Sequence, residues 1–488
     1  MFAEQAWILN RASLTPNRLA LVNLETNEQW TYRQLTLEIA KWSHFFENQG
    51  LQAGSRVAVF SRNNSHLFAI LFACGLRGLI YVPLNWRLST EELNDIVADA
   101  TPSLLLYDQG IPCPLQLATM HPIQQVLPSA TIASSIELDL NEPWLMIYTG
   151  GTTGKAKGVV LSFNSVNWNA INTIISWGLC EDDCTLNYMP MFHTGGLNAL
   201  SIPLLMAGGT VVIGDKFEAE TALKAINFYK TTISLFVPTM YQAMITTNYF
   251  HKSSFPTVKV FLSGGAPCPL PIYDAFFKKG LFFKEGYGLT EAGPNNFYIS
   301  REEAYVKKGA VGKSMQFNEA KIINQAGESC AAHEVGELFV RGKHMFQFYW
   351  NNQQETDNTI RDGWLRTGDL ATMDEEGYFY IVGRRKDMII SGGENVYPQE
   401  VEQCILRHQL VKEAAVIGAP DNYWGEIVTA FIVCHNQSDT VVDEVENLCR
   451  SHLGHYKIPK KIIMIDELPK TIVGKIDKKA LQLQLKSS

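Results

Sequence analysis

Tyr148-Thr149-Gly150-Gly151-Thr152-Thr153-Gly154-Lys155-Ala156-Lys157-Gly158 lies directly behind an apolar, strand-like run, residues 144–147. The stretch holds four glycines, three threonines and two lysines. Glycine lets successive backbone N–H groups turn toward one anion, threonine hydroxyls add donors, and lysine adds charge. That chemistry suits the phosphates of a nucleotide triphosphate. A Walker A loop is excluded, because it needs Gly, four residues, then Gly-Lys-Ser/Thr. Counting back from Gly154-Lys155, the first position is Thr149, and Ala156 follows the lysine. Read alone, the stretch is equally a flexible loop between strands.

Six more strings follow in order: Pro190-Met191-Phe192-His193, Ser263-Gly264-Gly265-Ala266-Pro267, Tyr287-Gly288-Leu289-Thr290-Glu291, Gly363-Trp364-Leu365-Arg366-Thr367-Gly368-Asp369, Gly383-Arg384-Arg385-Lys386-Asp387 and Pro469-Lys470-Thr471-Ile472-Val473-Gly474-Lys475. Together with the glycine-rich loop they resemble the adenylate-forming superfamily of acyl- and aryl-CoA synthetases, luciferases and adenylation domains. The resemblance covers nearly the whole chain. Two positions of the glycine-rich loop depart from it: Gly150 stands where Ser is usual and Ala156 where Pro is usual. The first removes a hydroxyl donor, and the second loosens the turn before Lys157.

A chain of 488 residues is long for one hydrophobic core, so two or three domains are expected. Hydrophobic residues make up 46% and charged residues 18%, the balance of a globular enzyme. The net charge of −8 and the lack of a basic stripe argue against nucleic acid. No apolar run approaches the roughly 18 residues of a membrane-spanning helix. The first eleven residues show no basic segment followed by an apolar run, so no signal peptide is expected. The nine cysteines are scattered, and Cys180 and Cys184, the one close pair, lack further ligands for zinc. They read as reduced thiols of a cytoplasmic protein.

Up to about residue 380, apolar runs alternate with helical patterns. Strands are expected at 56–60, 80–84, 210–213, 233–237 and 258–262, with a helix at 65–78 and another opening on Ser89-Thr90-Glu91-Glu92, where Ser89 is the N-cap and Glu92 lies three residues on. Such alternation implies α/β architecture, mostly parallel sheets covered by helices, with ligands at the carboxyl ends of strands. From residue 338 the texture turns to short β pieces. A polar, charge-dense break at 383–387 precedes a smaller α+β unit, with helices at 398–407 and 442–453 and strands at 414–417 and 427–433. The expected division is a large multi-layered N-terminal domain with a β-rich subregion (1–383), a hinge (384–387) and a small mobile C-terminal domain (388–488).

The resemblance implies an enzyme, an AMP-forming acid–thiol ligase, with ATP and Mg²⁺ as nucleotide and metal and CoA as co-substrate. Thr149, Gly150, Gly151, Thr152, Thr153, Gly154 and Lys157 would hold the β- and γ-phosphates. Gly264, Gly265 and Ala266 would let the adenine approach, with Glu285 and Gly286 before it and Tyr287 and Gly288 against it. Asp369 would accept from the ribose hydroxyls and Arg384 would add a contact. Thr290 would bond the α-phosphate, Glu291 would hold Mg²⁺, and Lys475 would stabilise the forming carboxyl–phosphate bond. Lys386 matches the hinge. Gly392, Gly393 and Glu394 lie in a loop resembling the one that lines the pantetheine tunnel.

His193 would sit beside the acyl pocket. Amino-acid-activating relatives carry Asp near this position, and Phe192-His193-Thr194 argues against an α-amino acid. The apolar segment 195–206, with Phe236, Met240 and Tyr241, would line an acyl pocket or form a buried helix. The overall pattern is most like bacterial fatty-acyl-CoA synthetases; aryl- and o-succinylbenzoate-CoA ligases share most of it. Adenylating enzymes that load a carrier-protein phosphopantetheine are a further alternative. The expected partners are a small carboxylic acid, ATP and CoA; a carrier protein, a homodimer and weak membrane association are left open.

Overall fold

A computed structural model describes all residues except 1–3, 130, 132–136, 151–155, 422, 436–439, 472–474 and 488. The first sheet places Phe283–Glu285, Val260–Ser263, Ile233–Phe236, Cys184–Asn187, Thr210–Ile213, Leu19–Asn23 and Gln29–Thr31 side by side. All neighbours are parallel except the last pair. A second sheet is built around Arg56–Phe60 and Ile80–Leu84. These strands are short apolar runs because both faces are covered.

One core runs continuously between the two sheets. It joins Leu21, Val211, Leu235 and Leu262 of the first to Val57, Tyr81, Leu145 and Val159 of the second. Helix His66–Leu76 lies within it and is apolar all round, as a fully buried helix must be. Helix Phe163–Trp177 contributes Phe163, Val166 and Ala170 to the same core. Phe236, Tyr241, Phe261, Tyr273 and Phe283 form a separate core on the opposite face of the first sheet.

An antiparallel sheet follows, centred on Gly336–Arg341, Trp364–Met373 and Phe379–Arg384. This is the β-rich subregion; it begins earlier than the sequence texture suggests, with Phe297–Tyr298 and Ala310–Ser314. After the turn Arg385–Asp387, the C-terminal domain packs helices Pro398–Ile405 and Val441–His452 on a mixed sheet of its own, around the long hairpin Val411–Asp421 and Gly425–Cys434.

Most expected strands fall within a residue or two of their positions. The capping box at Ser89 forms as read: Ser89 N donates to Glu92 Oε2 at 2.9 Å and Glu92 N to Ser89 Oγ at 3.2 Å, a cap contributing about 1 kcal/mol. One expectation needs correction. The glycine-rich stretch is flanked on both sides by strands, Pro143–Gly150 and Ala156–Ser162, which pair antiparallel with Thr149 opposite Lys157 and Gly150 opposite Ala156. Thr149 and Gly150 therefore end a strand, and the stretch joins two arms of a hairpin inside a largely parallel sheet.

Candidate active site

Two loops leave the carboxyl ends of adjacent parallel strands. Gly264 N donates to Phe236 O at 3.3 Å and Gly286 N to Ser263 O at 2.8 Å, carrying the ladder beyond the strands. The second loop then folds tightly on itself. Leu289 N donates to Gly293 O at 3.2 Å and Asn296 N to Tyr287 O at 3.2 Å. A Cβ at Gly288 would lie 2.2 Å from the Pro294 carbonyl, so only glycine allows this closure. The fold of the loop buries Thr290 and sets Glu291 behind it.

Asp369 enters from the antiparallel sheet. Its Oδ2 accepts the Tyr287 hydroxyl at 2.7 Å, and its Oδ1 lies 3.2 Å from Arg384 Nε, on the register partner in the next strand. Burial raises the Asp369 pKa, and Arg384 and the tyrosine hydroxyl oppose it. Glu291 is half-buried, and desolvation pushes its pKa up against a 2.8 Å hydrogen bond from Tyr349. Lys157 stands near, over the Tyr349 ring at 5.3 Å from its centroid, and pairs with Glu355. Nothing in the local sequence pattern marks Tyr349 or Glu355.

Lys475 arrives from the C-terminal domain. Thr471 N donates to Lys475 O at 2.6 Å and Lys475 N to Thr471 Oγ1 at 3.2 Å, while Lys470 pairs with Ile476 in an isolated bridge. Lys470 Nζ reaches Glu413 at 2.7 Å and Lys478 Nζ reaches Glu402 at 2.6 Å, tying this loop to its own domain. The Lys475 side chain crosses to the N-terminal domain. A Cβ on Gly265 would lie 3.6 Å from its Cε. Burial and then Arg384 lower its pKa, and Asp369 opposes them. His193 caps the short helix Thr194–Leu197, its Nδ1 accepting from Gly195 N at 3.1 Å. Burial and then Lys475 push His193 down to about 4, so it is neutral at pH 7. Five residues from distant parts of the chain, His193, Gly265, Asp369, Arg384 and Lys475, thus share one place.

Other expected residues stand differently. Gly151, Thr152, Thr153 and Gly154 lie outside the described residues. The Glu285 carboxylate turns away from the site, accepting from the Tyr273 hydroxyl at 3.0 Å and Cys268 N at 3.3 Å. Phe236 and Tyr241 belong to the core behind the sheet, not to an acyl pocket; the Tyr241 hydroxyl bonds Ser234 O and Leu262 O. Segment 195–206 forms two short helices, Thr194–Leu197 and Ser201–Ala207. Gly392 and Gly393, at φ +61 and +85, make the two-residue turn of hairpin Ile389–Ser391 and Glu394–Val396. That exposed turn, with Glu394, neighbours Trp424 within the C-terminal domain, Gly392 N donating to Trp424 O at 2.8 Å. Lys386 sits in the turn Arg385–Asp387, and partial burial, then Arg384, lower its pKa.

Lys284, not singled out in the sequence, is buried on the site's side of the first sheet. Its Nζ lies 4.3 Å from the Trp177 ring centroid and 5.2 Å from that of Tyr298. Aromatic faces contribute about 0.5–2 kcal/mol to a cation, against several kcal/mol for burying it. Burial accordingly pushes its pKa down to about 7.

The residues present fit a magnesium ion brought in with nucleotide. Among the described residues no group of three or more His, Cys, Asp and Glu could hold a metal alone. Glu291 offers one half-buried carboxylate with a single protein hydroxyl on it, and magnesium is commonly bound by one or two carboxylates plus phosphate oxygens and water.

Residues 8–350 match the model of the AMP-binding enzyme family, and residues 400–475 that of the AMP-binding enzyme C-terminal domain. A feruloyl-CoA synthase of Amycolatopsis sp. is 34% identical over 96% of this chain and 96% of its own. An indoleacetate–CoA ligase of Aromatoleum aromaticum is 32% identical over 97% and 96%. The solved o-succinylbenzoate coenzyme A synthetase of Bacillus subtilis, in complex with ATP and magnesium ion, superposes with a TM-score of 0.87 at 32% identity, over 99% of both chains. Matches of this extent, on a fold that brings the motif residues to one place, show that the chain belongs to the AMP-binding enzyme family and is an AMP-forming acid–thiol ligase.

Proposed function

We propose that the chain activates an acid with an aromatic tail, as an acyl-adenylate, and passes the acyl group to the thiol of CoA. The observation that carries the site assignment is Lys475, brought by one domain against the other beside His193, Asp369 and Arg384. In the first half-reaction the acid's carboxylate attacks the α-phosphorus of ATP and pyrophosphate leaves. Both reactants are anions, so oriented positive charge lowers the barrier. Lys475 supplies it at the forming bond. Thr149, Gly150 and Lys157 border the loop assigned to the β- and γ-phosphates, and Lys157 exchanges Glu355 for phosphate. Gly264, Gly265 and Ala266 pass along the adenine, with Tyr287 across from it. Asp369, held by Tyr287 and Arg384, accepts from the ribose. Thr290 donates to the α-phosphate. Glu291 would hold the magnesium ion, which screens phosphate charge when bound. Neutral His193 borders the acid and repels neither Lys475 nor the incoming carboxylate.

In the second half-reaction the CoA thiol attacks the acyl carbonyl and AMP leaves. Rotation at Lys386 withdraws Lys475 and brings the Gly392-Gly393-Glu394 hairpin to the site. The aromatic tail is favoured over a fatty one by the substrates in the relatives' names, and CoA is favoured over a carrier protein on the same ground. Among the described residues no helix is long and apolar enough to cross a membrane. A cytoplasmic setting supplies both ATP and CoA.

AMP release, measured with ATP, Mg²⁺ and CoA across cinnamates, arylacetates, 2-succinylbenzoate and straight-chain acids, tests this. An optimum among the aromatic acids that requires CoA is expected. An optimum on the straight-chain series would return the chain to the fatty-acyl reading. Adenylation without CoA thioester on any acid would name a carrier protein as acceptor.

A further inference from the structure

Lys284 is the middle residue of strand Phe283–Glu285 and the register partner of Leu262. Parallel partners point to the same face, so Lys284 shares the face of Leu262, opposite to Phe283 and Glu285. Gly286, two residues on, lies on that face too: a Cβ there would sit 3.2 Å from Leu262 Cδ1. Gly286 borders the site, and two residues of strand span about 7 Å. Lys284 therefore stands one such step below Gly286, at the border of the site.

The facing wall is helix Phe163–Trp177. Asn169, Thr173 and Trp177 recur every four residues and form one stripe. At the upper end Asn169 Nδ2 donates to Asn198 O at 2.7 Å, in the segment that starts at His193. In the middle Thr173 Oγ1 accepts from Asn295 Nδ2 at 2.9 Å, in the segment that follows Glu291. At the lower end the indole N–H of Trp177 is buried with no hydrogen-bond partner. Lys284 Nζ lies over the face of the same ring. Lys284 is 4% exposed, and its recorded contacts among the described residues are the rings of Trp177 and Tyr298, with no acceptor oxygen. The unpaired Trp177 N–H and the Lys284 ammonium over its ring thus end a stripe that begins beside His193 and Glu291.

We propose that Lys284, with the Trp177 N–H, receives a second carboxylate at the far end of the acid whose first carboxylate is activated at Lys475; this rests on the ligase reading above. The ammonium would be neutralised by the bound acid. A carboxylate has two oxygens, one for each donor. A plain methyl or methylene end would leave the Trp177 N–H buried and unpaired and give the ammonium no counter-charge. Lys284 then sets which acids are accepted and takes no part in the bond changes.

The experiment compares kcat/KM of the full chain for 4-carboxycinnamate and the isosteric 4-methylcinnamate, with 2-succinylbenzoate as a second dicarboxylate, by AMP release with ATP, Mg²⁺ and CoA. Wild type should prefer a dicarboxylate over the methyl acid by at least about tenfold. Lys284→Met should lower that ratio at least tenfold, chiefly through KM, while Lys284→Arg keeps it above one. Trp177→Phe should lower it less. A wild-type ratio at or below one for both dicarboxylates would overturn the proposal, whether or not the variants fold. So would an equal loss on both acid types in Lys284→Met. Wild-type AMP release from none of the acids would overturn the ligase reading itself.

Discussion

Lys475 of the C-terminal domain packs against Gly265 of the N-terminal domain, with 3.6 Å between its Cε and the place a Cβ would take on that glycine. The contact joins the two domains at the candidate site. Lys475 is inside the site, beside His193 and Asp369, and the Gly392-Gly393 turn is outside it. In the proposed reaction the two half-reactions use different faces of the same small domain, and this arrangement serves the first.

Asp369 is expected to govern nucleotide affinity. Its two oxygens already carry Tyr287 and Arg384, which orient them. Asp369→Ala removes the ribose acceptor and leaves Arg384 unpaired. KM for ATP should rise by about tenfold or more, with a smaller change in KM for the acid. Steady-state kinetics with each substrate varied in turn decide it. An effect on the acid alone would remove Asp369 from the nucleotide site.

The pH dependence of the first half-reaction should carry the signature of Lys475. Its pKa is below the ordinary lysine value because of burial and then Arg384. Raising pH removes the proton, and with it the charge that stabilises the transition state. Acid-dependent pyrophosphate exchange should therefore fall on an alkaline limb below the usual lysine range. Thioester formation from supplied acyl-AMP should lack that limb. The same limb in both would place the titrating group elsewhere.

Glu285 links the site to stability. Burial pushes its pKa up to about 8 against the hydrogen bonds from Tyr273 and Cys268, while in the unfolded chain it titrates near the ordinary carboxylate value. Between those values the folded chain keeps a proton that the unfolded chain has released. The stability this proton gives is full below the unfolded value and is lost as pH rises through about 8. Glu285→Gln mimics the protonated form. Relative to wild type, its Tm should gain from pH 5 to about 8 and then level off, and a gain that is flat from pH 5 to about 8 would contradict the burial argument.

Much of this was legible from the chain, and what was not has physical reasons. Arg56–Phe60, Ile80–Leu84 and Thr210–Ile213 are strands that announce themselves, because a strand covered on both faces must be an apolar run. The motif residues His193, Asp369 and Lys475 were named without any view of their meeting, since each is marked by its neighbours in sequence. That a strand follows the glycine-rich stretch was one of two readings left open, because a strand before glycines looks alike whether a helix or a strand follows. The direction of the Glu285 carboxylate depends on strand alternation, which puts it with Phe283 toward Tyr273. The burial of Lys284 depends on Trp177 and Tyr298, which only the fold brings together.

Lys386 tests the hinge. Lys386→Pro removes a backbone N–H and fixes φ in the turn Arg385–Asp387. Thioester formation should slow at least about tenfold more than pyrophosphate exchange. Stopped-flow or quench measurements of each half-reaction separate the two. Equal slowing would move the pivot away from this residue.

The most direct test is to measure both half-reactions in Lys475→Ala. Acid-dependent pyrophosphate exchange should drop by about 10²-fold or more, the usual effect of removing one transition-state charge partner. Thioester formation from supplied acyl-AMP and CoA should stay within a few-fold of wild type, because Lys475 has left the site by then. Equal losses in both would contradict a domain that alternates between two tasks.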